Sequence, residues 1–300
     1  MSVPAPDTRG IHPALLPSWS LIGRLVRIRS QTGTWLLLLP TLWALVLAAR
    51  GLPSWQLIVI FSLGSFLMRS AGVVLNDLAD RSFDRHVART KQRPLASGEL
   101  SPAQASLVLA VLLAIAAGLV CFLNRATILL SPVALLLAAL YPFAKRFIHI
   151  PQAMLGVAFG WGTIMAWTAS RGTLDPPAWF IFAATVCWAI GYDTVYAMQD
   201  REDDRRIGVK SSALLFGSSV WLAVGISLAA MVTLLGIAGW LTQIGWSFYW
   251  MLAAVSLFCL KQAFALRSPV VAPAQAFHMF LQHVWAGTAL LAGLLGGFLF

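Results

Sequence analysis

From Thr34 to the C-terminus the chain is a succession of apolar runs, each roughly 16 to 22 residues long, separated by short polar breaks. The runs are continuous rather than alternating. They therefore predict helices and exclude a membrane β-barrel. A bilayer span needs about 20 mainly apolar residues, and in hydrocarbon the backbone must satisfy itself. The pattern predicts an all-α integral membrane protein with nine transmembrane helices, at 34–50, 54–75, 104–123, 126–141, 151–169, 178–199, 214–240, 244–265 and 277–299. Residues 34–300 form one domain. Residues 1–33 read differently. Pro4, Pro6, Pro13 and Pro17 interrupt them, and no signal-peptide core or cleavage site precedes the first span. They predict a tail, then a short amphipathic helix from about Ser18 to Arg29 lying on the membrane surface.

Composition sharpens this. The chain is 59% hydrophobic and 11% charged, against about 25% charged in soluble domains. Of the 21 Lys and Arg, only Arg50, Arg125 and Arg171 fall on one side of the predicted spans. The positive-inside rule then places the N-terminus in the cytoplasm and the C-terminus opposite. That distribution accounts for the net charge of +10 without a nucleic acid. A lipid bilayer is the expected partner, in a bacterial inner membrane. Cys121, Cys187 and Cys259 sit in separate apolar runs with no ligand spacing, and read as small buried hydrophobes.

The acids are distributed unevenly. Eight of the 11 are Asp77, Asp80, Asp84, Asp193, Asp200, Glu202, Asp203 and Asp204. Asn76, Asp80 and Asp84 form a four-residue ladder, and so do Tyr196, Asp200 and Asp204. Each ladder follows an even-numbered span on the cytoplasmic side. Four spans separate the copies, which predicts parallel four-helix repeats (spans 1–4 and 5–8) around a central cavity, with the ninth left over. On continuous helices each ladder lies on one face. Like charges at that spacing repel, and a helix C-terminus disfavours anions, so the arrangement calls for a cation. Carboxylates and an amide without His or Cys suit Mg²⁺, which is commonly shared with substrate phosphates. Arg89, Lys91, Arg93 and Lys210 either clamp the same anion or merely reflect the positive-inside bias. Arg93–Pro94–Leu95 reads as a lid with Gly98 as its hinge.

The stretch from Arg69 through Asn76–Asp77–x–x–Asp80–x–x–x–Asp84 to Arg93–Pro94–Leu95 resembles the first signature of the UbiA superfamily of intramembrane prenyltransferases. Tyr192–Asp193–Thr194–x–Tyr196–Ala197–x–x–Asp200–x–x–Asp203–Asp204, followed by Gly208–Val209–Lys210–Ser211, resembles the second. The resemblance covers nearly the whole chain. It implies nine transmembrane helices, a cap over a central cavity, and Mg²⁺-dependent transfer of a polyprenyl group from polyprenyl diphosphate to an aromatic acid, 4-hydroxybenzoate, in ubiquinone synthesis. It implies that Asn76, Asp80, Asp84, Asp200 and Asp204 serve the metal–diphosphate site, that Tyr196 lines the pocket, and that Lys91 and Arg93 touch diphosphate.

Arg69 lies two turns deeper than Asn76. Arginine at that depth is costly and marks a functional site by default. It either pairs with the acceptor carboxylate or forms an internal salt bridge to an Asp of a ladder. Asp193 either takes part in handling the ring proton or is a structural acid. Trp161, Trp167 and Trp188 either line the isoprenoid channel, where they would stabilise an allylic cation, or belong to core and belt. Relatives carry an Asn soon after a Phe in the last span; here Gln282 or His283 stands in its place. The alternatives are another aromatic or quinone-precursor acceptor (homogentisate, naphthoate, haem), or a transporter. A transporter predicts charge within several spans, whereas this chain concentrates it at one face.

Overall fold

The computed structural model describes residues 17–299, apart from 86, 88, 89, 209, 269 and 270. The expected tail up to residue 16 and Arg89 lie outside the described residues, as does the Asp203 side chain. In chain order the helices are α1 (Trp19–Leu25), α2 (Thr32–Ala49), α3 (Trp55–Ala79), α4 (Arg81–Asp84), α5 (Pro94–Ser97), α6 (Pro102–Val120), α7 (Arg125–Leu140), α8 (Ala144–Phe147), α9 (Pro151–Arg171), α10 (Pro176–Ala197), α11 (Arg201–Ile207), α12 (Ser212–Phe216), α13 (Val220–Leu241), α14 (Trp246–Ala265) and α15 (Pro273–Leu299). No strand occurs among the described residues.

Among the described residues, eight helices are long and apolar enough to cross a membrane. The expected fifth span is the exception. It appears as α9, which has 21 residues but is not among the eight. Its place explains its polarity. Gln152, Thr163 and Thr168 on α9 are buried, and the helix packs against α2, α7 and α10. At Gly156 the backbone of α10 comes so near that a Cβ would lie 2.8 Å from the Val186 Cα. A helix enclosed by other helices does not need the uniform apolar surface that lipid demands.

The long helices form a ring in which sequence neighbours pack in turn from α2 to α15, and α15 returns to α2. Trp43 closes the ring by donating its indole N–H to the Gly287 carbonyl at 3.0 Å. Local sequence signals set the ends. Ser101 and Gln104 make a reciprocal capping box at the start of α6. Asn124 accepts from the Thr127 amide and donates to the Thr168 and Ala169 carbonyls, tying α7 to α9. Within α7, Pro132 has no N–H for the Ile128 carbonyl, and the Ser131 hydroxyl donates to that carbonyl instead at 2.8 Å.

The short helices α1, α4, α5, α8, α11 and α12 gather at one end as a cap. The surface helix is shorter than expected and ends at Leu25. Leu25 is fully buried with Val74, Leu95 and Leu100, so α1 is seated on the bundle while Trp19 points outward. The chain then turns at Arg27, whose φ of 55° is left-handed. The stretch expected to be a lid is also packed. Pro94, Leu95 and Ala96 are buried, and Gly98 caps α5 with a φ of 85°.

Candidate active site

Beneath the cap lies a cavity of about 980 Å³. Arg69, Asn76, Asp80, Asp84, Arg93, Asp193, Tyr196, Asp200, Asp204 and Lys210 all line it. Lys91 does not: it is exposed on the outside of its loop. The two ladders thus meet across one space, although 120 residues separate them.

Contrary to the expectation from spacing, neither ladder is a continuous helical stripe. α3 stops at Ala79, Asp80 stands at the junction, and α4 begins at Arg81. In the second copy α10 stops at Ala197, a 3₁₀ turn carries Asp200, and α11 follows. The backbone at the two breaks is nearly the same, with φ −98° and ψ 2° at Asp80 and φ −100° and ψ 7° at Asp200. Each break is followed by two short helices and another long one, as parallel repeats require. A straight helix would carry the third acid away along its axis, about 6 Å for each four-residue step. The break lets Asp84 and Asp204 reach the cavity.

Electrostatics around the first motif involve a residue that sequence reasoning had left on the membrane surface. Asp77 is 2% exposed and accepts from Arg27 at 2.8 Å and from Arg93 at 3.1 Å. Arg93 also donates to Asp84 at 2.7 Å. Arg27 itself lines the cavity. Burial pulls the Arg27 guanidinium below its ordinary pKa, and Asp77 opposes the shift. Outside this network, Arg24 grips both oxygens of Glu99 at 2.6 and 2.9 Å and the Gln92 carbonyl at 3.1 Å. Its hydrogen bond holds the Glu99 carboxyl below the usual range.

Arg69 makes no hydrogen bond or ion pair among the described residues, although its charge acts on Asp193 and Tyr141. The internal salt bridge to a ladder Asp is therefore not formed. Its guanidinium lies against Gly33 at the start of α2, with Nη2 2.8 Å and Cζ 2.9 Å from where a Cβ would be. Lys210 donates to the Phe147 carbonyl at 3.0 Å, bridging α12's approach to α8. Trp161, Trp167 and Trp188 do not line the cavity. Their indoles donate to Leu130, Asp175 and His283. Phe277 and Phe280 of α15 line it instead, and the Tyr196 ring packs against Phe280 with centroids 4.7 Å apart and planes tilted by 57°. Gln282 and His283 face inward among other helices, bonded to Gln262 and Trp188.

The donor set at the cavity mouth is one amide and four carboxylates, with no His or Cys in the lining among the described residues. Hard oxygen ligands of this kind fit Mg²⁺. Among the described residues no three acidic, His or Cys side chains form a metal cage by themselves. The set therefore fits a metal completed by substrate oxygens, not a preformed structural site.

Residues 37–284 match the UbiA prenyltransferase family. The chain belongs to that family. Curated relatives include the 4-hydroxybenzoate octaprenyltransferase of Pseudomonas aeruginosa (strain UCBPP-PA14), 45% identical over 94% of both chains. The protein of the same name from Coxiella burnetii (strain Dugway 5J108-111) is 46% identical over 91% of this chain and 94% of its own. Among solved structures, the apo UbiA homolog from Aeropyrum pernix K1 superposes with a TM-score of 0.74 at 26% identity, covering 86% of this chain and 96% of that one. The UbiA homolog from Archaeoglobus fulgidus bound to GPP and Mg²⁺ superposes with a TM-score of 0.60 at 19% identity, over 91% and 99%. As a family member this chain is a prenyltransferase embedded in a membrane by several helices.

Proposed function

We propose that this chain transfers a polyprenyl group from a polyprenyl diphosphate to the ring carbon of 4-hydroxybenzoate ortho to its hydroxyl. The observation that carries this is the convergence of both acidic motifs and Arg69 on one cavity that continues among apolar helices. The names of the curated relatives support the acceptor.

Asn76, Asp80, Asp84, Asp200 and Asp204 would hold Mg²⁺ through the diphosphate, and the ion would supply charge neutralisation of the leaving group. Arg93 and Lys210 flank the same mouth and bind the diphosphate oxygens. When Arg93 turns to the diphosphate it releases Asp84 to the ligand set. Arg69, deeper in the bundle, holds the acceptor carboxylate and so aims the ring. The allylic C–O bond breaks with its electron pair going to diphosphate. The ring carbon forms the new C–C bond, and the displaced ring proton leaves to a base, a role given to Asp193, a lining carboxylate on which Arg69's charge acts. Phe280 and Tyr196 offer π faces to the allylic cation, and the apolar walls keep water from it. The isoprenoid tail leaves between α6 and α7, the least buried spans at 11% each, both of which line the cavity. The protein sits in a bacterial inner membrane with the cap, rich in Arg and Lys, on the cytoplasmic side.

The test is direct. Membranes carrying the protein are given 4-hydroxybenzoate and a polyprenyl diphosphate, with and without Mg²⁺. Ring-prenylated 4-hydroxybenzoate should form only with the metal. Product from homogentisate or a naphthoate but not from 4-hydroxybenzoate would transfer the proposal to another acceptor.

A further inference from the structure

We infer that Gly33 is a positioning residue for acceptor recognition, because its missing side chain makes the niche that holds the Arg69 guanidinium. This rests on the reading that Arg69 binds the acceptor carboxylate. Gly33 precedes the segment matched by the family model, which begins at residue 37. Nothing in the two acidic motifs points to it.

The geometry is close. Arg69 reaches from α3 across to the first turn of α2, and both residues line the cavity. A Cβ at position 33 would come within 2.8 Å of Nη2 and 2.9 Å of Cζ, and would overlap Nε. Real Cβ atoms essentially never approach heavy atoms below 3.0 Å, so something must move. The obstructing atoms are the far end of a long flexible side chain, not backbone. Gly33 lies in α2 without a positive φ, so an alanine there meets no backbone strain, and alanine is the better helix former. Alanine at 33 would therefore leave the fold intact and push the guanidinium off its place. An acceptor aimed by that guanidinium would lose its alignment with the allylic carbon. Asn76, Asp80 and the second motif would be untouched, so the diphosphate half of the site would be unaffected.

The experiment uses Gly33→Ala in the full-length protein, with steady-state kinetics in each substrate. The apparent KM for 4-hydroxybenzoate should rise about 10- to 100-fold, the range a misplacement of about 1 Å produces. The KM for polyprenyl diphosphate should stay within about twofold. The preference for 4-hydroxybenzoate over the neutral 4-hydroxybenzamide should collapse. Gly118→Ala, on α6 with open space around it, should change nothing. In an Arg69→Lys background Gly33→Ala should add no further loss, since the ammonium does not fill the niche. An unchanged acceptor KM in Gly33→Ala, alongside a raised one in Arg69→Ala, overturns the role of Gly33 and leaves that of Arg69 standing. An unchanged acceptor KM in Arg69→Ala removes both. Equal rises in the two substrates' KM, additive losses in the double variant, or failure of Gly33→Ala to accumulate in membranes also overturn the inference.

Discussion

A guanidinium inside a lipid-embedded bundle is costly unless it has a task. Arg69 meets no carboxylate of the chain within ion-pair distance among the described residues, and the proposal gives it the acceptor carboxylate as counter-charge. Arg69→Ala should raise the acceptor KM about 30-fold or more, from the roughly 2–5 kcal/mol of a truncated buried charge pair; steady-state kinetics in 4-hydroxybenzoate check this. The proposal assigns the acids at the two helix breaks to the other substrate, the diphosphate. Asp80→Ala and Asp200→Ala should each lower kcat about 100-fold or more, as loss of leaving-group stabilisation does, while the protein still inserts in the membrane. Near-normal turnover in either would take that motif out of the chemistry. Asp77 is the acid whose role the sequence hid. It lies within the first motif, one residue from Asn76, yet a helix turns adjacent residues about 100° apart. That rotation points Asp77 at Arg27 and Arg93, leaving Asn76 and Asp80 on the cavity.

At the scale of elements, the motif helices work because they break. Asp80 and Asp200 adopt one backbone conformation at equivalent places, and each break redirects a following acid. Periodicity could not reveal this, since the four-residue spacing fits a straight helix equally well. The cap is held by side chains from α1, a segment whose sequence suggested only a surface helix. Arg27→Ala should destabilise the protein in detergent by about 1–3 kcal/mol, the cost of leaving buried Asp77 short of a charged partner, and should loosen Arg93. A thermal melt and the KM for polyprenyl diphosphate would both register the change. The outer clasp is sensitive to acid. The folded pKa of Glu99 is lowered from its ordinary 4.5. Its contribution is therefore fully present above that pH and is lost as pH falls through the lower folded value. Hydrogen exchange in residues 90–100, corrected for intrinsic rates, should be unchanged from neutral pH to about 5 and faster in Glu99→Gln. Equal exchange in the variant would show that burial of Leu95 and Leu100 alone holds the loop.

For the whole molecule, the ring of helices separates a charged mouth from an apolar interior, and the two functions are separable. Chelation of divalent metal should abolish turnover and leave the melting temperature in detergent unchanged, because the described fold encloses no structural metal cage. A cysteine placed in the cap should react with an impermeant reagent only in inside-out membrane vesicles, and one placed near Arg171 only in right-side-out vesicles; the reverse pattern would invert the proposed orientation. The membrane class and the helical architecture were legible in the sequence alone, and all but one of the described residues it nominated for the site line a single cavity. Those properties depend on local composition: twenty apolar residues must cross a bilayer as a helix, and carboxylates in such a chain must meet a cation. Tertiary structure alone decided the rest. It enclosed α9 among other helices, turned Asp77 from the cavity to Arg27, left Lys91 outside, and brought Gly33 beneath Arg69. Each of these depends on which helices approach one another and at what distance, and side-chain spacing along one helix carries no record of its neighbours.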